Sequence, residues 1–416
     1  MAKNTKPTIR FKGFTDAWEQ RKLSSLCEKF TDGDWIEAKD QSDSGVRLIQ
    51  TGNVGVTEYL DKPNNKKWVT ADTFERLRCE EVLPGDILIS RLPEPAGRAC
   101  IMPNLGTKMI TAVDCTIVRT FAEYSSKFLV QFLSTHDYFN EVNTALAGGT
   151  RQRISRSNLA SFDVPTPPTF EEQEAIGNYF KHLDHLITLH QRKYDSLVNV
   201  KKAMLEKMFP KNGETVPEIR FKGFTDAWEQ RKLGDYLDVS SEKNTSNIYN
   251  KGDVLSVSGD YGIVNQIEFQ GRSFAGASVS NYGVVHTGDV VYTKSPLNSN
   301  PYGIIKANKG KTGIVSTLYA VYRPKENAHS DFVQTYFEQH ARMNNYMHPL
   351  VNKGAKNDMK VSSENALKGY VTFPKYEEQK MIFDYFSVID HLITLHQRKL
   401  EKLKNIKKSC LEKMFV

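Results

Sequence analysis

Residues that could carry out catalysis occur in this chain only as incomplete sets. The segment 309–312, Lys-Gly-Lys-Thr, matches the end of a phosphate-binding loop, but that loop also needs a glycine at the position of Ile305. Asp32, Glu37 and Lys39 have the residue types of a nuclease site, and the second half of the chain has no matching set. Neither set is complete enough to predict a reaction.

Methyl transfer and metal binding lack a complete set of residues as well. The tripeptide 300–302, Asn-Pro-Tyr, is without the second proline of the Asn-Pro-Pro-Tyr loop of amino-methyltransferases. Five cysteines are present, and they form no Cys-x-x-Cys pair: Cys27, Cys79, Cys100, Cys115 and Cys410. We therefore expect reduced structural cysteines, no bound metal and a chain that is not itself an enzyme.

Length and composition limit the kinds of protein that this chain can be. Its 416 residues are 39% hydrophobic and 25% charged, which predicts two or three packed domains and not a disordered chain. The net charge of +7 permits an anionic partner such as nucleic acid without requiring one. No apolar run reaches the ~18 residues of a membrane span, and no secretory signal is readable, so we expect a cytoplasmic location.

The strongest feature of the sequence is an internal repeat. Three segments occur twice with identical letters: IRFKGFTDAWEQRKL, DHLITLHQRK and LEKMF. Their positions are 9–23 and 219–233, 184–193 and 390–399, and 205–209 and 411–415. Two bodies that differ at most positions lie between them, so the chain is a tandem duplication with constant and variable parts.

Two further patterns correspond inside the variable bodies. A Gly-Asp turn followed by an apolar run occurs within 84–91 and again within 287–294, which predicts a turn and a core strand. Residues 127–133 and 331–337 each have the spacing of a short amphipathic helix. Each body is therefore expected to combine strands with helices.

The tail of each half predicts a long helix. Glu-Glu-Gln follows a proline at 171–173 and at 377–379, and we interpret these residues as helix caps because carboxylates favour the positive end of a helix. Apolar residues then recur at alternating steps of four and three, which is the spacing of a coiled coil. A chain that must return between two such helices favours an antiparallel pair.

Polar residues interrupt this apolar seam at equivalent places in the two tails, namely His190, Lys201, His396 and Lys407. We interpret them as fixing the register of the pair and not as metal ligands. The predicted fold class is α+β, with two mixed α/β globular domains in a tandem pseudo-twofold repeat, separated by two long antiparallel coiled-coil helices. The predicted segments are a first domain at 1–170, a first helix at 171–210, a second domain at 211–376 and a second helix at 377–416.

The same series of parts occurs twice: a variable body, a Gly-rich turn at 148–155 or 353–360, Glu-Glu-Gln, and a long helix. This arrangement covers essentially the whole chain and resembles the specificity subunit of type I restriction-modification systems. The resemblance implies a non-catalytic DNA-recognition subunit with two target recognition domains, each of which reads one half of a bipartite target. It also implies that the two helices set the unspecified gap between the halves.

Partners follow from the same resemblance. It implies two modification subunits, which bring S-adenosylmethionine and methylate adenine, and two restriction subunits, which use ATP and Mg to translocate and cleave foreign DNA. The chain itself would hold no cofactor. Two other functions stay open at this point: a duplicated protein-binding scaffold and, less favoured, a self-sufficient DNA-modifying enzyme.

We predict DNA contacts from polar and cationic residues in turns, because Lys and Arg bind phosphates while Arg, Asn and Gln read bases. In the first domain these residues are Gln50, Asn53, Arg91, Arg98, Thr150, Arg151, Gln152 and Arg153. In the second domain they are Lys294, Asn298, Asn300, Tyr302, Lys353, Lys356 and Asn357. The second Gly-rich turn has Lys356 and Asn357 where the first has Thr150 and Arg151, so we expect the two turns to contact DNA differently.

Aromatic residues of the repeated lead-in form a further candidate surface. They are Phe11, Phe14 and Trp18 in the first copy and Phe221, Phe224 and Trp228 in the second. We interpret them either as anchors of their own domain or as a surface on which a partner docks.

Overall fold

A computed structural model of the chain describes residues 6–147, 152–294, 300–353 and 359–415. The chain forms two compact units: unit 1 is Met1–Arg192 with Gln397–Val416, and unit 2 is Lys193–His396. The predicted segments follow the order of elements along the chain, whereas the packing assigns part of each long helix to each unit. Within the described residues, no helix is both long enough and apolar enough to cross a membrane.

Unit 1 combines short strands with short helices before its first long helix. Its strands are β1 (Glu19–Lys22), β2 (Cys27–Asp32), β3 (Gln41–Ser42), β4 (Val46–Ile49), β5 (Lys67–Val69), β6 (Ile87–Ser90), β7 (Ala99–Ile101), β8 (Met109–Thr111), β9 (Cys115–Thr120) and β10 (Asp163–Thr166). Its helices are α1 (Ala71–Leu77), α2 (Ser126–Phe132), α3 (His136–Thr144), α4 (Arg156–Ser161) and the long α5 (Phe170–Lys207), which continues into unit 2. One sheet has the antiparallel order β2-β9-β6-β7, a second has the order β3-β5-β4-β8 with β4 and β8 parallel, and β1 pairs with β10.

Unit 2 repeats part of this plan. Its strands are β11 (Glu229–Lys232), β12 (Leu237–Val239), β13 (Leu255–Ser258), β14 (Gly262–Asn265), β15 (Gly283–Val285), β16 (Val290–Thr293), β17 (Ile305–Ala307), β18 (Gly313–Val315), β19 (Tyr319–Pro324), β20 (Asn352–Lys353), β21 (Met359–Lys360) and β22 (Tyr370–Phe373). Its helices are α6 (Gln266–Gln270), α7 (Ser330–Phe337), α8 (His340–Met347) and the long α9 (Tyr376–Met414), which continues into unit 1. The sheet order β12-β19-β16-β17 and the pair β11-β22 match two parts of unit 1, whereas β13-β14 and β15-β18 form separate pairs.

The repeated Gly-Asp turn has the same structure in both units. Gly85 and Gly288 have φ values of 96° and 90°, a backbone region that favours glycine. The Asp86 carboxylate accepts a hydrogen bond from the Leu83 amide at 2.8 Å, so it closes the turn that leads into β6. All four residues of β6 are buried, and all four residues of β16 are buried too. The predicted turns, core strands and short helices α2 and α7 are therefore confirmed.

The Glu-Glu-Gln residues lie at the starts of the two long helices, as predicted, and also bind residues outside those helices. Arg10 donates two hydrogen bonds to the Glu172 carboxylate at 2.6 and 2.8 Å, and Arg220 donates two to Glu378 at 2.7 Å each. Both carboxylates are buried. Hydrogen bonding to Glu172 raises the pKa of Arg10, because the bond favours the charged guanidinium. These acids therefore tie the repeated lead-in to the start of a long helix.

The glutamine of each set also binds outside its helix. The Gln173 side chain accepts the Ser125 amide at 2.9 Å and donates to the Pro167 carbonyl at 3.0 Å. In unit 2, the Gln379 side chain accepts the His329 amide at 2.9 Å. Ser125 and His329 are the N-caps of α2 and α7, so each glutamine fixes a short helix against a long one. The predicted helix starts are thus confirmed, and the buried acid and glutamine of each set also bind tertiary partners that the sequence did not predict.

The second copy of LEKMF completes the core of unit 1. Phe415 packs against Phe128 at a ring distance of 5.4 Å and against Phe180 at 5.9 Å, and the Ile9 amide donates to the Lys413 carbonyl. Unit 1 is therefore closed by residues from the opposite end of the chain.

The first copy of LEKMF has the same place in unit 2. Phe209 packs against Phe332 at 5.8 Å and against Phe386 at 6.1 Å, and the Ile219 amide donates to the Lys207 carbonyl. The two copies of the repeated segment thus occupy equivalent packing sites, one in each unit.

Ion pairs hold α5 and α9 in antiparallel register inside each unit. In unit 1, Lys407 contacts Asp184 at 2.5 Å, and Asp184 also accepts hydrogen bonds from Thr57 and Gln131. In unit 2, Lys201 contacts Asp390 at 2.7 Å and Glu338 at 2.8 Å. The predicted role of the seam lysines in register is supported by these contacts, because each lysine pairs with an acid of the facing helix.

We predict that Phe209→Ala lowers the free energy of unfolding of unit 2 by about 3 to 5 kcal/mol, because it removes a fully buried ring and leaves a cavity. Val388→Ala is the matched control, since Val388 is 60% exposed on α9 and its loss is expected to cost less than about 0.5 kcal/mol. Thermal and urea unfolding of the full chain measure both variants. Equal stability of the two variants would contradict the packing site.

Candidate nucleic-acid interface

Two of the predicted DNA-contact residues of unit 1, Arg91 and Arg153, are brought together by Asp114. Arg91 directly follows β6, and its side chain is only 7% exposed. The Asp114 carboxylate lies 4.0 Å from the Arg91 guanidinium and 3.5 Å from that of Arg153. The Ile154 amide donates to the Arg91 carbonyl, so the main chain also joins these two parts of the sequence.

Asp32 extends this group on its other side. Its carboxylate lies 3.4 Å from the Arg91 guanidinium and 4.0 Å from that of Arg156. We name the group the Arg91 cluster, which consists of Asp32, Arg91, Asp114, Arg153 and Arg156. Sequence reasoning missed Arg156 and considered Asp32 only as part of a nuclease set. The sequence did contain a signal for Arg156, because it is the third arginine within residues 151–156, at the end of the Gly-rich turn.

Arg98 is used inside unit 1 to hold loops together. Its guanidinium donates to the backbone carbonyls of Thr51, Val54, Leu92 and Pro95 at 2.7 to 2.9 Å. Burial lowers the pKa of Arg98, because desolvation disfavours its charged form. These bonds give Arg98 a structural role, and its contact with DNA stays a prediction.

Gln50 and Asn53 form the turn that Arg98 supports. The Gln50 amide donates to the Asn53 side-chain oxygen at 3.1 Å, and the Asn53 side chain donates to the Leu60 carbonyl at 2.9 Å. Asn53 is buried, whereas Gln50 is half-buried. Of this pair, Gln50 is the better placed to reach a ligand, and DNA contact stays a prediction for both.

In unit 2, Lys294 follows β16 as Arg91 follows β6. Its amide donates to the Leu318 carbonyl at 3.1 Å, just as the Arg91 amide donates to the Asp114 carbonyl at 2.8 Å. Burial lowers the pKa of Lys294. Asp114 of unit 1 is thus replaced by Leu318 in unit 2, which is exposed. The polar environments of Arg91 and Lys294 therefore differ.

Asn300 and Tyr302 lie in one turn of unit 2. The Asn300 carbonyl accepts the Gly303 amide at 3.0 Å, and the Asn300 side chain bonds to the His340 ring. The Tyr302 carbonyl accepts the Tyr292 hydroxyl at 2.7 Å. Five predicted contacts lie outside the described residues: Thr150, Arg151, Asn298, Lys356 and Asn357. Gln152 is exposed, and the main chain of Lys353 lies in β20.

The lead-in aromatics divide into buried tryptophans and half-buried phenylalanines. Trp18 and Trp228 are each 2% exposed, and the Trp18 indole donates to Glu172 at 3.3 Å. Both tryptophans lie in the core, as anchors of their own unit would. The phenylalanines keep part of their surface accessible, namely Phe11, Phe14, Phe221 and Phe224. Partner docking by the six aromatics stays a prediction.

The Arg91 cluster is chemically suited to bind an anion and not to catalyse a reaction. Guanidinium groups donate hydrogen bonds in a planar fork that fits carboxylates and phosphates, and they do not act as bases at physiological pH. In the part of the chain that the structure describes, no group of three or more His, Cys, Asp or Glu side chains has the geometry to hold a metal ion.

The chain matches the family model of the type I restriction modification DNA specificity domain twice, over residues 15–199 and 225–405. The chain belongs to this family. It is therefore a specificity subunit of a type I restriction-modification system, and the catalytic steps belong to other subunits. This result favours DNA recognition over a protein-binding scaffold and over a self-sufficient DNA-modifying enzyme.

This chain is similar in sequence and in fold to known specificity subunits. A Methanocaldococcus jannaschii protein assigned as the specificity subunit of the type I restriction enzyme MjaX is 21% identical over 425 aligned positions, which cover 95% of this chain and 92% of that protein. The MjaIX specificity subunit of the same organism is 23% identical over 53% of this chain and 49% of its own length. The crystal structure of the S subunit of a type I restriction-modification system from M. genitalium has the same fold, with a TM-score of 0.59, 13% identity and 99% coverage of both chains. The predicted fold class, with two mixed α/β domains in tandem, is thereby confirmed.

We predict that Arg98→Lys lowers the free energy of unfolding of unit 1 by about 2 to 4 kcal/mol, because one ammonium group cannot replace a guanidinium bound to four carbonyls. Arg153→Gln is the control, since this arginine is 60% exposed and its only described acid partner lies 3.5 Å away. Its effect is expected to stay below about 1 kcal/mol. Urea unfolding of the full chain compares the two, and an unchanged stability of Arg98→Lys would rule out the structural role of Arg98.

Proposed function

We propose that each unit of this specificity subunit reads one half of a bipartite DNA target, and that α5 and α9 set the gap between the halves. One observation carries this proposal: the two units share a scaffold but differ in the parts attached to it. The shared scaffold comprises the sheets β2-β9-β6-β7 and β12-β19-β16-β17 and the lead-in bound to a long helix.

The parts that differ have the character of recognition elements. Unit 1 carries the four-stranded sheet β3-β5-β4-β8, whereas unit 2 carries the hairpin β13-β14, the pair β15-β18 and the short helix α6. The residues that follow the equivalent strands also differ, with Arg91 near two acids in unit 1 and Lys294 near Glu364 in unit 2. Different side chains on equivalent scaffolds support the reading of two different half-sites.

The length of the helices is compatible with a role in spacing. Helix α5 has 38 residues, which at about 1.5 Å per residue gives a length of roughly 57 Å. One turn of duplex DNA spans about 34 to 36 Å. Each helix is therefore longer than one turn of the target, and the lysine–aspartate pairs that fix its register support a fixed gap.

We further propose that the repeated constant segments bind two copies of the modification subunit. Identical segments on equivalent parts of the two units offer equivalent surfaces, and half-buried aromatic residues such as Phe11 and Phe221 are suited to such contacts. In this proposal S-adenosylmethionine is bound by the modification subunits, and ATP and Mg are bound by two restriction subunits. DNA recognition is the contribution of this chain.

Modified-base sequencing tests the recognition role directly. Host DNA is compared in cells with and without this chain, while the modification partner is retained. We expect a split adenine-methylation motif that is lost without the chain, because the modification subunit depends on this chain for its target. Restoring the chain on a plasmid is the control, and methylation that is unchanged with all partners expressed would contradict the proposal.

Exchange of one variable body tests whether each unit reads its own half of the DNA motif. Replacement of residues 24–170 by the corresponding body of another specificity subunit is expected to change one half of the motif and leave the other half and the gap intact. The physical reason is that the lead-in and the long helix, joined by the hydrogen bonds of Arg10 to Glu172, lie outside the exchanged residues and stay in place. Sequencing of methylated DNA reads the outcome, and changes in both halves would rule out two independent recognition units.

A further inference from the structure

We propose that the cleft beside the Arg91 cluster binds a backbone phosphate of the target DNA, and that the described residues of unit 2 form no equivalent site. This inference rests on the proposed function, because it names the chemical group that unit 1 holds during recognition. The cleft has a volume of about 550 Å³, and its lining includes Asp32, Arg91, Arg156 and two serines, Ser24 and Ser157. It is large enough for a phosphate with part of its sugar.

Arg91 is a buried cation, and one of its hydrogen-bond donors is unpaired among the described residues. Its Nη2 donates to the Val113 carbonyl at 2.7 Å, which fixes the direction of the guanidinium. Its Nε is buried and has no hydrogen-bond partner among the described residues. Buried charged donors are nearly always satisfied in proteins, so an unpaired donor beside a cleft points to a ligand that supplies an acceptor. A phosphate oxygen is such an acceptor, and arginine is the residue best suited to it.

The charge of the cluster matches the charge of one phosphodiester. Three guanidinium groups and two carboxylates make up the Arg91 cluster, which leaves one positive charge. Asp32 and Asp114 lie 3.4 to 4.0 Å from the arginines and offset two of their three positive charges, and the remaining charge favours an anion of charge minus one. The Asp32 carboxylate in the lining also repels ligands of higher negative charge, such as a free nucleoside triphosphate.

The position of the cleft agrees with a DNA contact. Arg153 pairs with the Ala147 main chain, and Ile154 donates to the Arg91 carbonyl, so the cluster lies where the chain enters and leaves residues 148–152. This is the Gly-rich turn for which the sequence predicts DNA contact. A phosphate held beside Arg153 would fix the register of unit 1 on the duplex without reading a base.

Unit 2 replaces the residues that make this cleft cationic. Ser155 accepts the Asn158 amide, and Ser362 accepts the Asn365 amide in the same way, so the segments 155–158 and 362–365 correspond. In that correspondence Arg156 is replaced by Ser363, and Ser157 is replaced by Glu364. Glu364 interacts electrostatically with Lys294, so the described residues that correspond to Arg91, Arg156 and Ser157 contribute no net positive charge in unit 2. Lys243 is a further cation near Lys294.

The salt dependence of DNA binding tests the proposal. The full chain is co-purified with its modification subunit, and binding is measured by fluorescence anisotropy between ~50 and 200 mM salt. One duplex carries the methylation motif and the other carries a scrambled motif. Arg156→Gln is expected to weaken binding to both duplexes by the same factor and to reduce the slope of log K against log salt by about 0.9, because one phosphate contact is lost.

Two further variants make the result specific. Arg156→Lys keeps the charge and is expected to keep the slope of the wild type. Arg21→Gln is the matched control, because Arg21 is exposed to a similar extent, 43% against 48% for Arg156. Like Arg156, it is paired with an acid, Glu19. This substitution removes the same charge from unit 1 and is expected to leave the slope unchanged. Thermal unfolding verifies that all variants are folded.

The outcomes separate this proposal from the proposed function. If the wild-type complex binds both duplexes equally, sequence recognition by this chain is contradicted, while the salt slope of Arg156→Gln still decides the phosphate site, because a phosphate contact reads no base. If the wild type discriminates but Arg156→Gln keeps its slope, or loses affinity only for the motif duplex, the phosphate site alone is overturned. An equal loss for Arg21→Gln would show a general charge effect and would also overturn it.

Discussion

The buried ion pair between the lead-in and the long helix is the contact on which each unit depends. Glu172 and Glu378 are each 1% exposed, and burial of a carboxylate is costly unless a hydrogen-bonded cation pairs with it. Arg10 and Arg220 supply it through two hydrogen bonds each. Loss of either partner would leave an uncompensated buried charge, which is far more costly than loss of a surface pair. This constraint explains why the lead-in and the helix start recur together.

Around this ion pair each unit gathers parts of the chain that are distant in sequence. The end of α9 places Phe415 in the core of unit 1, and the end of α5 places Phe209 in the core of unit 2. Each unit thus needs both long helices, and the lysine–aspartate pairs fix where the helices meet. Because these constant contacts hold the scaffold, the variable bodies are free to differ, which is the property that a protein with two independent recognition units needs.

Particular residues show how far the sequence could lead. The Gly-Asp turns, the strands β6 and β16 and the helices α5 and α9 were predictable, because each rests on local geometry or on regular spacing of apolar residues. Arg98 was predicted as a DNA contact because it is a cation in a loop, yet four carbonyls surround it in the structure. Glu172 was interpreted as a helix cap, and its partner Arg10 is 162 positions away. Composition and local pattern contain no information on such distant pairs.

The sequence by itself determined the duplication, the positions of the long helices and the resemblance that gave the function. These features depend only on the order of residues, because a repeat and a helical period can be recognised along the sequence. Only the tertiary structure decided that unit 1 is closed by the end of the chain and that Asp114 joins Arg91 to Arg153. It also decided which cations are satisfied by the protein and which retain a free donor. The physical reason is that burial and hydrogen-bond partners depend on three-dimensional neighbours, which the order of residues does not specify locally.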